Sequence, residues 1–434
     1  MDRRDFLQKG SAAAITAVSL SHNMPAASGD SKKPVNIGVV GVGERGTSLV
    51  KILLDIEGVE ISALCDINQE HLANAQKIVA GKGRKKPDGY LRSPWDFKRL
   101  AERDDLDAVI TATPWEWHVP VMVAAMKAGK YGGVEVPACV TIDECWELVE
   151  TSEQTGMPCM MLENVNYFRN VMMVLNMVRQ GLFGELLHCE AGYQHDVRYV
   201  TFDKNGNLRW RGKHYVQRNG NLYPTHPVGP IAWWTNINRG DRFTYLVSMS
   251  SKSRGMNIEI EEKFGPNHPN ARMKYALGDI NTTLIKTHNG VTVTLYHDTQ
   301  SPRPYDLIFR VQGTKGIYSG TLNKIYIHKR SPKSHQWEDI NEYEREFEHP
   351  MWKTLGEVAK DYGHGGGDYI EMHQFVKAVR NRTQTPIDVY DAATWSVISP
   401  LSEKSVANKS VPVDFPDFTR GRWMTNEPVG IVDA

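Results

Sequence analysis

The sequence predicts an α/β protein in two parts: a doubly wound parallel sheet, then an α+β domain built on a large, mostly antiparallel open sheet. Three observations carry this. Up to Glu163, short apolar strands alternate with helices of about ten to fifteen residues, the rhythm of parallel strands joined by crossovers. Beyond Glu163, extended runs follow one another with few helices between them, which reads as antiparallel pairing. A glycine-rich turn, Gly41-Val42-Gly43-Glu44-Arg45-Gly46, stands where the first strand passes into the first helix.

In the first part, strands are predicted at 35–40, 59–65, 108–113, 131–136 and 158–162. Helices are predicted at 47–54, 69–79, 96–103, 118–128 and from Thr141 to Thr155. Thr141 and Glu144 have the spacing of a capping box, and Gly81–Gly89 reads as a basic loop. A helix at 171–180, closed by Gly181, opens the second part. Extended runs follow at 186–194, 243–250, 281–287, 291–297, 307–312 and 324–329, with Asn289-Gly290 as a tight hairpin turn. Helices at 369–381 and 392–406 lie near the end.

Composition narrows the function. The 434 residues carry 51 basic and 51 acidic side chains, so no electrostatic footprint argues for nucleic acid or an anionic membrane. The five cysteines form no CxxC pair and sit among apolar neighbours, so buried thiols are expected rather than disulfides or a zinc site. No apolar run is long enough to span a bilayer, and no stable membrane anchor is expected. The first thirty residues have the order of an export signal: Arg3-Arg4-Asp5-Phe6-Leu7 matches the twin-arginine pattern, Ser11–Leu20 is a short apolar core, and Ala26-Ala27-Ser28 offers small residues for cleavage. The reading is export by the twin-arginine machinery, to the periplasm or beyond. That route moves folded proteins, so a cofactor bound in the cytoplasm leaves with them.

Gly41, Gly43 and Gly46 make G-x-G-x-x-G between a strand and a helix, the phosphate-cradling turn of a Rossmann dinucleotide site. Asp66 falls twenty residues after Gly46, at the end of the second strand. An acid there accepts hydrogen bonds from the adenosine ribose and repels a 2′-phosphate, which favours NAD over NADP. Glu44 and Arg45 lie within the turn, and Arg45 reads equally as a phosphate partner or a solvated helix-start residue. Trp115-Glu116-Trp117-His118 follows the 108–113 strand, and Glu135-Val136-Pro137 follows the next. Both fall where ligands bind in doubly wound sheets, outside the carboxyl ends of the strands.

These features resemble the glucose–fructose oxidoreductase/inositol dehydrogenase (Gfo/Idh/MocA) family, in which the residue at 136 is ordinarily a catalytic lysine. Here it is Val136, which argues against an ordinary lysine-assisted dehydrogenase. Trp115–His118, Glu163–Tyr167 (ENVNY), Gly192–Asp196 (GYQHD), Leu222–His226 (LYPTH), Arg303–Tyr305 (RPY), Gly363–Gly366 (GHGG) and Asp388–Trp395 (DVYDAATW) occur together and in order. The combination is similar to glycoside hydrolase family 109, whose best-known activity is α-N-acetylgalactosaminidase. The resemblance implies glycoside cleavage on retained NAD: oxidation at C3, elimination across C2, addition of water, and re-reduction.

It also implies the site. His226 is the leading base, with Tyr223 as positioned donor and Tyr167 as an additional acid or base. Tyr193, Arg211, Tyr223, Pro224, Thr225, His226 and Tyr305 match sugar-contacting positions, and Asn164 the nicotinamide ribose. Relatives often carry Asp four residues before the histidine; here Leu222 stands there, so the partner that orients His226 is unknown. His364 reads as a structural loop residue, and no metal is expected. The partition is a signal peptide at 1–30, a Rossmann domain at 31–165 and a substrate domain at 166–434, the final helices packing back on the first. A homo-oligomer is expected through the open sheet face. The rival readings are a sugar oxidoreductase with retained cofactor and a non-catalytic sugar-binding relative.

Overall fold

The computed structural model describes residues 33–429, so the twin-arginine segment lies outside the described residues. The first sheet contains β1 (Val35–Val40), β2 (Val59–Cys65), β3 (Asp88–Tyr90), β4 (Ala108–Thr111), β5 (Tyr131–Val134) and β6 (Cys159–Met161). All pairs are parallel, in the order β3-β2-β1-β4-β5-β6. The order reverses between β1 and β4, and the crevice outside their carboxyl ends is where such sheets bind ligands. Strand β3 lies in the stretch read as a basic loop. It is three residues long and two of them are exposed, so no apolar pattern announces it; pairing with β2 defines it.

These strands form because their side chains are buried on both faces. Ile37, Val39, Val109 and Ile110 are fully buried and read as a near-continuous apolar run. Thr141 caps its helix as expected: its hydroxyl accepts from the Glu144 amide, and the Glu144 carboxylate accepts from the Thr141 amide.

The second sheet has nine strands: β7 (Leu186–Gln194), β8 (Phe243–Ser250), β9 (Ile280–Thr287), β10 (Thr292–Asp298), β11 (Arg310–Gly313), β12 (Gly316–Ser319), β13 (Lys324–Ile327), β14 (Glu338–Asp339) and β15 (Val413–Asp414). Their order is β14-β13-β12-β11-β7-β10-β9-β8-β15. Only β7 and β10 pair in parallel. The β9–β10 hairpin turns through Gly290, whose φ of 94° suits glycine. On the outer face Tyr245, Met249, Ile280 and Leu284 are exposed apolar side chains. The helix Gly367–Asn381 returns to the first domain, packing on the helix Glu44–Leu54 and on β1. One apolar core runs through both sheets and includes the five cysteines, all with free thiols. No helix among the described residues is long and apolar enough to cross a membrane.

Behind this core, Arg239 donates to Asp391 at 2.8 Å through both terminal nitrogens and to Asp388 at 2.9 Å. Arg239 and Asp391 are buried, so each charge depends on the other. Arg239→Leu should destabilise the fold by about 3 kcal/mol, because two carboxylates are left without their cation. Urea unfolding measures this, and a loss below about 1 kcal/mol would mean that the group is hydrated rather than paired.

Candidate functional site

The glycine turn separates what the protein needs from what a ligand needs. Gly41 has a φ of 79°, and a Cβ there would stand 2.8 Å from the Thr113 backbone. At Gly46 a Cβ would come within 1.9 Å of the Gly41 carbonyl oxygen. Both must be glycine for the turn to form. Gly43 differs: its φ is −67°, and its nearest neighbour would be the His71 ring at 3.6 Å. Nothing in the protein requires glycine there, but a pyrophosphate approaching the backbone would. Asp66 is fixed beside it. Its carboxylate accepts from the Val42 amide at 2.8 Å and the Asn68 amide at 2.7 Å, which holds it at the ribose position of a dinucleotide. The turn therefore fits NAD.

Arg45 is half-buried and its guanidinium is bound. Its Nε donates to Glu135 at 2.5 Å, and its two terminal nitrogens donate to Asp368 at 3.0 Å each. Burial opposes its charge, but the two carboxylates outweigh it and hold the guanidinium pKa above its ordinary value. Asp368 also accepts from Asn164 Nδ2 at 2.6 Å and pairs with His364 Nδ1 at 2.8 Å. Burial would raise the Asp368 carboxyl; His364 and Arg45 instead hold it well below the usual carboxylate range. Asn164 thus spends its amide nitrogen on Asp368, and its carbonyl oxygen is buried without a protein partner.

The Trp115–His118 loop is used by the protein more than expected. Trp115 is buried against Trp210 (5.1 Å between ring centres), His214 and Tyr223. Trp117 packs on Trp95 and Phe97, and Glu116 approaches His214 at 3.5 Å. His118 is buried, with its ring nitrogens 2.8 Å from the Pro137 carbonyl and 2.9 Å from the Thr113 carbonyl. That corrects its assignment as a cofactor contact: it clips the loops after β4 and β5 together. Val136 is buried beside Glu135.

The second domain supplies an aromatic cleft. Tyr193, at the end of β7, lies 4.4 Å from Tyr223 and 5.4 Å from His226, centre to centre. Tyr305 and His195 close the outer edge, their rings 4.7 Å apart, and the Tyr193 hydroxyl lies 3.2 Å from His195 Nδ1. Arg211 forms no surface ion pair among the described residues. Its guanidinium lies 5.0 Å from the Trp115 ring, 5.2 Å from Tyr223 and 5.3 Å from Trp210. Burial, with Tyr193 adding to it, pushes the Tyr223 hydroxyl upward, and burial pushes Tyr193 up to about 12; both are proton-bearing donors at neutral pH. Pro224 and Thr225 open the helix Thr225–Trp234 and are buried.

His226 finds its partner in Glu163, the residue just beyond β6. Nδ1 and Oε1 are 2.6 Å apart, with Glu163 fully buried. This answers the question left by Leu222. The approach is close because Gly229, one turn on, has no side chain: a Cβ there would lie 2.2 Å from Asn166 Oδ1 and 3.1 Å from Glu163 Cγ. Tyr167 is corrected. It is fully buried, its ring edge-on to Trp233 at 5.5 Å and its hydroxyl without a partner among the described residues.

Sequence reasoning missed Glu163, Asp368 and His364. Glu163 carried a signal, an acid directly after a buried strand, but nothing in linear order ties it to a histidine 63 positions later. His364 has a φ of 52° and a half-exposed side chain held by Asp368, a second histidine–carboxylate pair rather than a bare loop residue.

Residues 167–425 match the family model for the glycosyl hydrolase 109 C-terminal domain, and residues 35–163 that for the oxidoreductase-family NAD-binding Rossmann fold. A glycosyl hydrolase family 109 protein of Stenotrophomonas maltophilia is 44% identical, covering 100% of this chain and 99% of its own. An α-N-acetylgalactosaminidase of Tannerella forsythia is 45% identical, covering 98% of each. Among solved structures, levoglucosan dehydrogenase in complex with NADH and L-sorbose superposes with a TM-score of 0.68 at 20% identity, covering 89% of this chain and 100% of its own.

Gly43→Ala should leave the thermal midpoint unchanged while weakening NAD binding by at least about tenfold, whereas Gly46→Ala should lose the fold. Melting curves and NAD titration read both. Equal NAD affinity in Gly43→Ala and the parent would remove the ligand argument for that glycine.

Proposed function

The chain belongs to glycoside hydrolase family 109, and from that premise we propose that it hydrolyses α-linked N-acetylgalactosamine by a cycle that starts and ends with oxidised NAD. The observation that carries this reading is the Glu163–His226 pair, 2.6 Å apart, set in the aromatic cleft beside the carboxyl ends of the first sheet. NAD, when bound, supplies reversible oxidation of a sugar hydroxyl to a ketone. His226, oriented through Nδ1 by Glu163, offers Nε2 as the base for the C3 hydroxyl proton and, once that proton has passed to solvent water, for the C2 proton that the neighbouring ketone acidifies. Tyr223 and Tyr193 donate to the oxygen on which charge develops. Arg211 holds the sugar's polar groups from its aromatic seat, with Tyr305 at the open edge. His364, backed by Asp368, carries a proton to the departing C1–oxygen, after which water adds at C1. Val136 in place of a lysine leaves the base role to His226.

Export and assembly extend the reading. The Arg3–Leu7 pattern supports export by the twin-arginine route with NAD already bound. The exposed Tyr245, Met249, Ile280 and Leu284 supply an apolar face for a second copy of the chain.

The test uses para-nitrophenyl α-N-acetylgalactosaminide in heavy water. Nitrophenol release with deuterium at C2 of the product is expected. Hydrolysis without deuterium would overturn the elimination step, and NADH formed from free sugars with no nitrophenol would favour a sugar oxidoreductase. His226→Ala should lower kcat by about 10³-fold or more while the purified protein keeps its NAD. Loss of NAD instead would place His226 in cofactor binding.

A further inference from the structure

The polar groups at the carboxyl ends of β5 and β6 are unevenly charged. Glu135 follows β5, Glu163 follows β6, and Asp368 reaches them from the first turn of the helix Gly367–Asn381. Glu135 and Asp368 share the one guanidinium of Arg45. Glu163 Oε1 faces the His226 imidazole and accepts from the Val165 amide at 3.2 Å, and its Oε2 is buried without a partner among the described residues. His364 is likewise the imidazole on Asp368. Arg45 is the one permanently charged cation among these groups, so three carboxylates face one fixed positive charge.

A fourth acid, Glu371, lies one turn beyond Asp368. It is fully buried, and neither of its oxygens has a hydrogen-bond partner. Burial, reinforced by Glu135, Asp368 and Glu163 against the pull of Arg45, raises its carboxyl well above the ordinary range. A fully buried carboxyl with neither oxygen hydrogen-bonded keeps its proton, so the negative excess belongs to the other three.

In a dinucleotide fold with the ribose acid on β2, the nicotinamide half lies across the switch point, over β4, β5 and β6. The oxidised nicotinamide ring is cationic and the reduced ring is neutral. A fixed negative excess stabilises the cation selectively, because the reduced ring gains nothing from it. We infer that Glu135, Glu163 and Asp368 act together to hold the bound cofactor in its oxidised form, so that the resting protein carries NAD⁺. The inference rests on NAD as the cofactor and not on which sugar is cleaved.

The test is a reductive titration of the purified holoprotein at pH 8. A mediator dye sets the potential, and absorbance at 340 nm reports the ratio of bound NAD⁺ to bound NADH. At one fixed dye poise, Glu135→Gln and Glu163→Gln should each lower that ratio by about tenfold, the scale of one removed charge at close range in a partly screened site. Glu371→Gln, as close but neutral already, should leave the ratio within about twofold. Asp368→Asn provides a third charge removal should either glutamine variant fold poorly. The inference is overturned if the charge-removing variants keep the parent ratio, or if Glu371→Gln shifts it as far as they do. Either result leaves the glycosidase reading intact, since hydrolysis of the nitrophenyl glycoside is measured separately.

Discussion

Asp368 is the interaction on which the rest depends. One buried carboxylate accepts from Arg45 in the glycine turn and from Asn164 after β6, and pairs with His364 in its own approach loop. These groups come from both ends of the chain. Each hydrogen bond that a buried carboxylate accepts offsets part of its lost hydration, so its partners are held where the acid is. The network fastens the helix Gly367–Asn381 to the mouth of the dinucleotide crevice. The second domain and its aromatic cleft are thereby set over the cofactor site.

The two histidines gain their chemistry from this setting. A surface imidazole is a weak and undirected base. Glu163 fixes the tautomer and ring plane of His226 through one short hydrogen bond, and Asp368 does the same for His364. Beside His226 stand Tyr193, Tyr223 and the stacked Arg211, which give the cleft apolar faces with few, directed polar tips. That composition suits a sugar ring, whose faces are apolar and whose edges carry hydroxyls.

Much of this was legible in the chain. The longer parallel strands announced themselves as apolar runs alternating with helices, and the capping box at Thr141 was visible in its spacing. The antiparallel runs after Leu186 were visible as well, with boundaries displaced by a few residues. What escaped were short edge strands such as β3 and β14, which bury too little to leave a pattern. His118 and Tyr167 were assigned to the site because motif position says which loop a residue belongs to. It does not say which way the side chain turns, and both turn inward.

The sequence by itself determined the glycine turn, the acid at Asp66, the absence of a lysine at 136 and the family, because these are local in the chain: backbone sterics and residue identity at fixed spacing. Only the tertiary structure decided which carboxylate serves which cation. Arg45 with Asp368 spans 323 positions and His226 with Glu163 spans 63. Such pairs leave no local trace, since the energy that selects them arises only when folding removes water from both partners at once.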